Sequence, residues 1–77
     1  MGKEKVRFGM IAIQKGYITK DQLIRALTIQ AKENIEEGKH RLLGQIMLGE
    51  GFLSAEQIDD VLETLNNQLL YVLSVGR

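Results

Sequence analysis

The chain has 77 residues, of which 44% are apolar and 26% are charged, and it contains no cysteine and no proline. A domain this short buries only about 60–65% of the surface of its unfolded chain, which favours one core and one binding surface over a buried two-domain active site. The apolar fraction excludes wholesale disorder. Without cysteine the chain has no disulfide and no thiolate metal site, so its stability depends on packing or on self-association.

The net charge is zero, but the charges are unevenly distributed. Residues 1–32 carry seven basic and two acidic side chains, whereas residues 33–65 carry two basic and eight acidic ones. A balanced total argues against strong non-specific binding of nucleic acid, which needs a broad basic surface. The asymmetry fits two solvated faces, head-to-tail contacts or a charged partner.

The uncharged stretch of residues 65–76 is too short to span a bilayer and contains three consecutive amide side chains. The first residues do not lead into the apolar region of a signal peptide. We therefore expect a cytoplasmic protein that does not insert into a membrane.

The first predicted element covers residues 5–15. Apolar residues at every second position from Val6 to Ala12 suggest a strand, whereas Phe8, Ile11 and Lys15 follow helical spacing. In the corresponding second segment, residues 40–50, the apolar residues Leu43, Ile46 and Met47 keep the helical spacing and the alternation fails. Short helices are therefore predicted over about 5–15 and 40–50.

Two longer helices are predicted over about 19–37 and 54–74. Each begins with a capping box, in which a hydroxyl accepts from the amide three residues on and a glutamine reaches back to the cap amide: Thr19 with Gln22, and Ser54 with Gln57. The preceding short helices are expected to stop at glycines that tolerate the left-handed conformation, Gly16 and Gly51. Gly38 is expected to end the first long helix, before the linker Lys39-His40-Arg41.

The two halves of the chain repeat each other with an offset of 35 residues. The segment FGMIAIQKGYITKDQLIRALTIQ, residues 8–30, aligns with LGQIMLGEGFLSAEQIDDVLETL, residues 43–65. We predict one all-α domain, a small bundle of two helix-turn-helix repeats. Repeat 1 covers about 7–30, a linker about 31–41, repeat 2 about 42–65, and an apolar extension of the last helix 66–75.

The first repeat carries a short motif of glycine, leucine and glutamine at fixed spacing, formed by Arg7, Phe8, Gly9, Gly16, Leu23, Leu27 and Gln30. This motif resembles that of the MshEN-type module, the N-terminal domain of many type II secretion and type IV pilus assembly ATPases. The resemblance covers residues 7–65 and implies a helical fold. No nucleotide-binding Walker motif follows, so we expect a stand-alone relative without the ATPase.

Some members of that family bind cyclic di-GMP across two tandem motifs, which implies a tentative ligand set of Arg7, Phe8, Gly9, Gly16, Gln30, Arg41 and Gly44. An arginine pairs with phosphate or stacks on a base, and a glutamine offers a donor and an acceptor to a base edge. The second repeat departs from the motif, since Leu42 and Leu65 occupy the arginine and glutamine positions. A weakened site, or one that two chains complete together, is the form expected here.

The residues do not favour an enzyme, a metal site or a DNA reader. His40 is the only histidine, and it has no cysteine or paired carboxylates at ligand spacing, so no metal is expected. The acidic residues at helical spacing lack an accompanying nucleophile and are read as a solvated face. The second helix-turn-helix would present four acidic residues to phosphate, which argues against DNA: Glu56, Asp59, Asp60 and Glu63.

The last helix carries apolar residues with 4-3-4-3 spacing, the pattern of a heptad seam: Ile58, Leu62, Leu65, Leu69 and Val72. A stripe that faces the domain's own core gives the same pattern. Because a domain this small has little surface to cover an apolar tail, we predict a homodimer in which residues 58–75 contribute to the interface.

The sequence therefore predicts a non-enzymatic protein-interaction or regulatory module that requires no cofactor. Its protein partner is expected to belong to a secretion or pilus system, as the resemblance implies. The alternative is a receptor module for cyclic di-GMP.

Overall fold

The computed structural model describes the backbone of residues 2–75 and the side chains of residues 6–68. Its elements are α1 (Gly2–Gln14), α2 (Lys20–Lys32), a π-helical turn (Glu33–Glu37), α3 (Leu43–Gly49) and α4 (Ala55–Val75). Residues 2–75 contain no strand, so the predicted all-α class is confirmed. None of the helices in this described part is long and apolar enough to cross a membrane.

The turns between the paired helices have the same backbone geometry in both repeats. Gly16 and Gly51 adopt φ values of 80° and 79°, which a residue with a side chain rarely does. In each turn the amide after the glycine donates to a carbonyl five residues back, at 2.9 Å for Tyr17 and 2.8 Å for Phe52. The glycine stops predicted for both short helices are confirmed.

Both long helices begin with a complete capping box. The amide of Gln22 donates to the Thr19 hydroxyl at 3.1 Å, and the amide of Thr19 donates to the Gln22 side chain at 2.9 Å. The amide of Gln57 donates to the Ser54 hydroxyl at 3.1 Å, and the Ser54 amide donates to the Gln57 side chain at 2.9 Å. The first turn of each helix thus has its free amides satisfied by residues that the sequence alone identifies.

The segment between the repeats differs in detail from the prediction. The first long helix continues past α2 as the π-helical turn and ends at Gly38, whose φ is 67°. Residues 38–42 are not helical, so α3 begins at Leu43 instead of near residue 40. Leu42 precedes α3 in extended conformation and has no hydroxyl, and therefore only one bond of a capping box forms, from the Leu42 amide to the Gln45 side chain at 2.9 Å.

The hydrophobic core lies between the repeats, because α1 packs against α4 and α2 packs against α3. Its buried members come from all four helices and both turns: Phe8, Ile11, Ala12, Ile18, Leu23, Ala26, Leu43, Ile46, Met47, Leu53 and Val61. Gly9 of α1 faces Leu23 of α2, and a methyl group at Gly9 would overlap the Leu23 side chain. The helix-weakening glycine in α1 thus has a packing role.

Replacing Ser54 by alanine is expected to lower the free energy of unfolding by about 0.5–2 kcal/mol, because the Gln57 amide loses its acceptor. The same change at Thr19 should have a similar effect, since both caps make the same pair of bonds. Thermal and denaturant unfolding followed by circular dichroism measure both values. Ser54→Asp, which keeps an acceptor at the cap, is the matched control and should retain most of the stability.

Candidate docking groove

An apolar groove of about 540 Å³ lies between α3 and α4, with α1 at its base. Eleven residues line it: Phe8, Leu42, Leu43, Gly44, Gln45, Leu48, Ala55, Ile58, Asp59, Leu62 and Leu65. Eight of the eleven residues are leucine, isoleucine, alanine or glycine, and a ninth is a phenylalanine. The groove therefore offers a surface suited to apolar side chains, with few polar groups to orient them.

The rims of the groove expose large apolar side chains to solvent. Leu42 is 69% exposed, while Leu48 and Leu62 are each 48% exposed. Below them, Gly44 of α3 faces the Phe8 ring of α1, and a Cβ atom at this position would lie 3.4 Å from the ring. Exposed leucines on both sides of a concave apolar surface are the usual mark of an interaction site.

The two sides of the groove differ in charge. On α4 the acidic residues Glu56, Asp59 and Glu63 recur at intervals of three and four, which places them along one face of the helix. Asp59 itself lines the groove, and within the described side chains none of the three forms a salt bridge. The rim on α3 presents leucines and a glutamine. The groove therefore has one acidic side and one uncharged side.

The linker contacts the corresponding surface of the first repeat. The repeat offset relates Leu23, Leu27 and Gln30 on α2 to Ile58, Leu62 and Leu65 on α4. Gln30 is 5% exposed, and its side-chain amide donates to the main-chain carbonyl of Arg41 at 3.0 Å. The packing of α3 on α2 is matched by that of α1 on α4, so the linker contact at Gln30 is the part of this arrangement that the second repeat lacks within the described residues.

Arg41 fixes the linker through its side chain as well. Its guanidinium donates to Glu33 twice, from Nε to Oε1 at 3.0 Å and from Nη2 to Oε2 at 2.6 Å. Hydrogen bonding from Arg41 holds the pKa of Glu33 below its ordinary value of 4.5, and the same pair raises the pKa of Arg41. Two-point pairing of this kind sets the direction of both side chains.

A second polar contact joins the two repeats. The hydroxyl of Tyr17 donates to the carboxylate of Asp60, and the ammonium of Lys15 lies 3.3 Å from the same carboxylate. The hydrogen bond from Tyr17, followed by that from Lys15, lowers the pKa of Asp60, and the bond to Asp60 raises the pKa of Tyr17. Asp60 is thereby committed to the turn of the first repeat and is not available to the groove.

The tentative ligand residues are distributed over three environments. Arg7 is exposed on α1, and Gly16 is exposed in its turn. Phe8, Gly9 and Gln30 are buried, and Gln30 and Arg41 contact each other. Gly44 lines the groove together with Phe8.

The residues of the predicted self-association seam fall partly in the groove. Ile58, Leu62 and Leu65 line it, and only Leu62 among them is largely exposed. The side chains of Leu69 and Val72 lie outside the described residues.

Sequence reasoning did not find the other side of the groove. Leu42, which directly precedes α3, was interpreted only as a departure from the motif, although it is the most exposed leucine of the rims. The signal for this side is that Leu42 and Leu48 are apolar at either end of a short helix that already buries Leu43, Ile46 and Met47. A seven-residue helix with apolar residues on more than one face is expected to have a second contact surface.

The contacts of Glu33 with Arg41 and of Asp60 with Tyr17 predict how the stability of the domain changes at acid pH. Because Glu33 and Asp60 have folded-state pKa values below their ordinary values, the unfolded chain binds protons more readily than the folded one. The stabilisation is complete above the ordinary values of 4.5 and 3.8 and is lost as the pH falls through the lowered values. We expect the melting temperature to fall as the pH drops below about 5.

The melting temperature of the variant Glu33→Gln/Asp60→Asn should fall less over this pH range than that of the wild-type chain. The control is Glu36→Gln, at an exposed position of the π-helical turn, which should keep the wild-type pH dependence. Thermal unfolding at a series of pH values measures the slopes. A double variant that keeps the wild-type slope would contradict the assignment of the acid sensitivity to these two contacts.

Comparisons with protein-family models, with curated proteins and with solved structures found no match to this chain. The resemblance to the MshEN-type module therefore stays a prediction from the residues quoted above.

Proposed function

We propose that this chain is a non-enzymatic protein-interaction module whose groove between α3 and α4 receives an apolar segment of a partner. The observation that carries the proposal is the exposure of Leu42, Leu48 and Leu62 around one concave apolar surface. Burial of a leucine side chain is worth about 1.5–3 kcal/mol. Three half-exposed leucines therefore supply enough apolar area to support association against its entropic cost.

The resemblance to the secretion and pilus modules supports the same reading, because those modules are joined to larger machines. A partner from such a system, in the cytoplasm, is the setting we propose. Packing in the domain leaves the groove preformed, since its base is built from core residues Phe8 and Leu43. A preformed groove requires little rearrangement on binding.

The proposal is tested by panning a phage-displayed library of amphipathic helical peptides against the wild-type chain. Clones that bind wild type should lose binding to Leu62→Asp, because the aspartate places a charge in the apolar contact. The matched control is Ile24→Asp, which changes an apolar side chain that is 61% exposed on α2, away from the groove. Recovery of no clone, or of clones that bind Leu62→Asp as well as wild type, would overturn the proposal.

A further inference from the structure

We infer that the occupant of the groove is an amphipathic helix that carries lysine or arginine along one edge of its apolar face, the edge that lies against α4. The inference rests on the proposed function and names the chemistry of the partner. The shape of the groove and the charges along its α4 side both point to such a helix.

The groove has the dimensions of a helix-docking site. Its α4 side extends from Ala55 to Leu65, which corresponds to about 15 Å at a rise of 1.5 Å per residue. A helix of two to three turns spans that distance and presents apolar side chains at intervals of three and four residues. The leucines on α3 and α4 stand on opposite sides, so the inserted side chains contact both helices.

The acidic edge selects the charge of the partner. Glu56, Asp59 and Glu63 follow one another along α4 at the side of the groove, while the α3 side carries Leu42, Gln45 and Leu48. An acidic occupant would bring like charges together, and an uncharged one would partly desolvate Asp59 without giving it a partner. A basic edge on the occupant pairs with all three carboxylates and fixes which way round the helix lies.

A second copy of α4 lacks the required charge. Residues 55–75 contain four acidic and no basic residues, so self-association through this helix leaves Glu56, Asp59 and Glu63 unpaired. In a parallel arrangement the acidic edges of two copies would also repel each other. A basic amphipathic helix therefore matches the groove better than a second copy of α4 does.

The sequences of the groove-dependent phage clones test the inference. We expect lysine and arginine to be enriched at positions spaced by three and four residues on one edge of the apolar face, relative to the unselected library. Groove-dependent clones with no basic bias, or with an acidic one, would overturn the inference and leave the proposed function intact. Failure to recover any groove-dependent clone would overturn the proposed function itself.

Synthetic peptides give the quantitative test. One recovered peptide is compared with a version whose edge lysines and arginines are replaced by glutamine. The basic peptide should bind about tenfold more tightly at low salt, as three exposed ion pairs allow. The difference should disappear at about 1 M salt, where the Debye length is about 3 Å.

The protein side of the test is the variant Asp59→Asn/Glu63→Gln, with Glu36→Gln/Glu37→Gln on the π-helical turn as the matched control. The groove variant should lose most of the tenfold preference, because only Glu56 of the three carboxylates remains, and the control should keep the full preference. Circular dichroism checks that both variants fold. A tenfold preference that survives undiminished in the groove variant would place the basic edge elsewhere and overturn the inference.

Discussion

Replacing Ile46 by alanine is expected to lower the free energy of unfolding by about 2–5 kcal/mol. Ile46 lies in the middle of α3 with no exposed surface, and a helix of seven residues has little stability of its own in water. The position of α3 in the domain therefore depends on the side chains that α3 buries. Because small domains unfold with only about 5–15 kcal/mol, one such cavity removes a large share of the total.

The control for this prediction is Leu48→Ala in the same helix. Leu48 is 48% exposed at the rim of the groove, so its truncation removes less buried contact and should cost clearly less stability than Ile46→Ala. The same variant should weaken groove-dependent peptides. Denaturant unfolding followed by circular dichroism compares the two variants. Equal losses at the two positions would contradict the placement of α3.

Self-association is expected to depend strongly on Leu62. The heptad spacing on α4 predicts a homodimer at micromolar concentration, and Leu62 is the most exposed of the seam residues whose side chains are described. Leu62→Asp should shift the chain to monomer, because an unpaired charge in an apolar contact is strongly unfavourable. Sedimentation velocity measures the shift, with Ile24→Asp as the control that retains the dimer.

A wild-type chain that sediments as a monomer at high concentration would contradict the dimer. Leu62→Asp should melt close to wild type when both are monomeric, because the side chain is half-exposed. A large loss of stability in the monomer would show instead that Leu62 contributes to the chain's own core.

The local structure was predictable because each helix boundary is fixed by neighbouring residues. Thr19 and Ser54 cap the long helices through side chains three residues away, and Gly16 and Gly51 end the short ones by adopting positive φ. Because the chain repeats with an offset of 35 residues, each cap and each glycine stop occurs once in each half and could be predicted from both. The repeat also resolved the first segment as a helix, which the alternation of its own apolar residues did not.

The arrangement of the repeats was not predictable in the same way. Two contacts hold the non-helical linker in place. Gln30 donates to the carbonyl of Arg41, which lies 11 positions further along the chain, and Arg41 pairs with Glu33, which lies 8 positions before it. A glutamine at helical spacing reads equally as a ligand residue and as a buried structural one. Which of the two it is depends on the path of the linker, and no periodicity specifies that path.

Only the α4 side of the groove was predictable from the sequence, again because the other side depends on contacts between distant segments. The apolar stripe on α4 follows from its spacing, so Ile58, Leu62 and Leu65 were identified as a contact surface. Its other side depends on the crossing of α3 over α2 and on the approach of Gly44 to Phe8. These are contacts between segments far apart in the sequence, and the spacing within one helix does not contain them.

The hydrogen bond between Tyr17 and Asp60 allows the docking of the two repeats to be followed by tyrosine fluorescence. The chain has no tryptophan and two tyrosines, so replacing Tyr71 by phenylalanine leaves one fluorophore, at the contact between residues 43 positions apart. A phenol that donates to a carboxylate emits weakly, and separation of the repeats should therefore brighten it. Tyrosine emission then reports when the halves come apart, whereas circular dichroism reports when the helices melt.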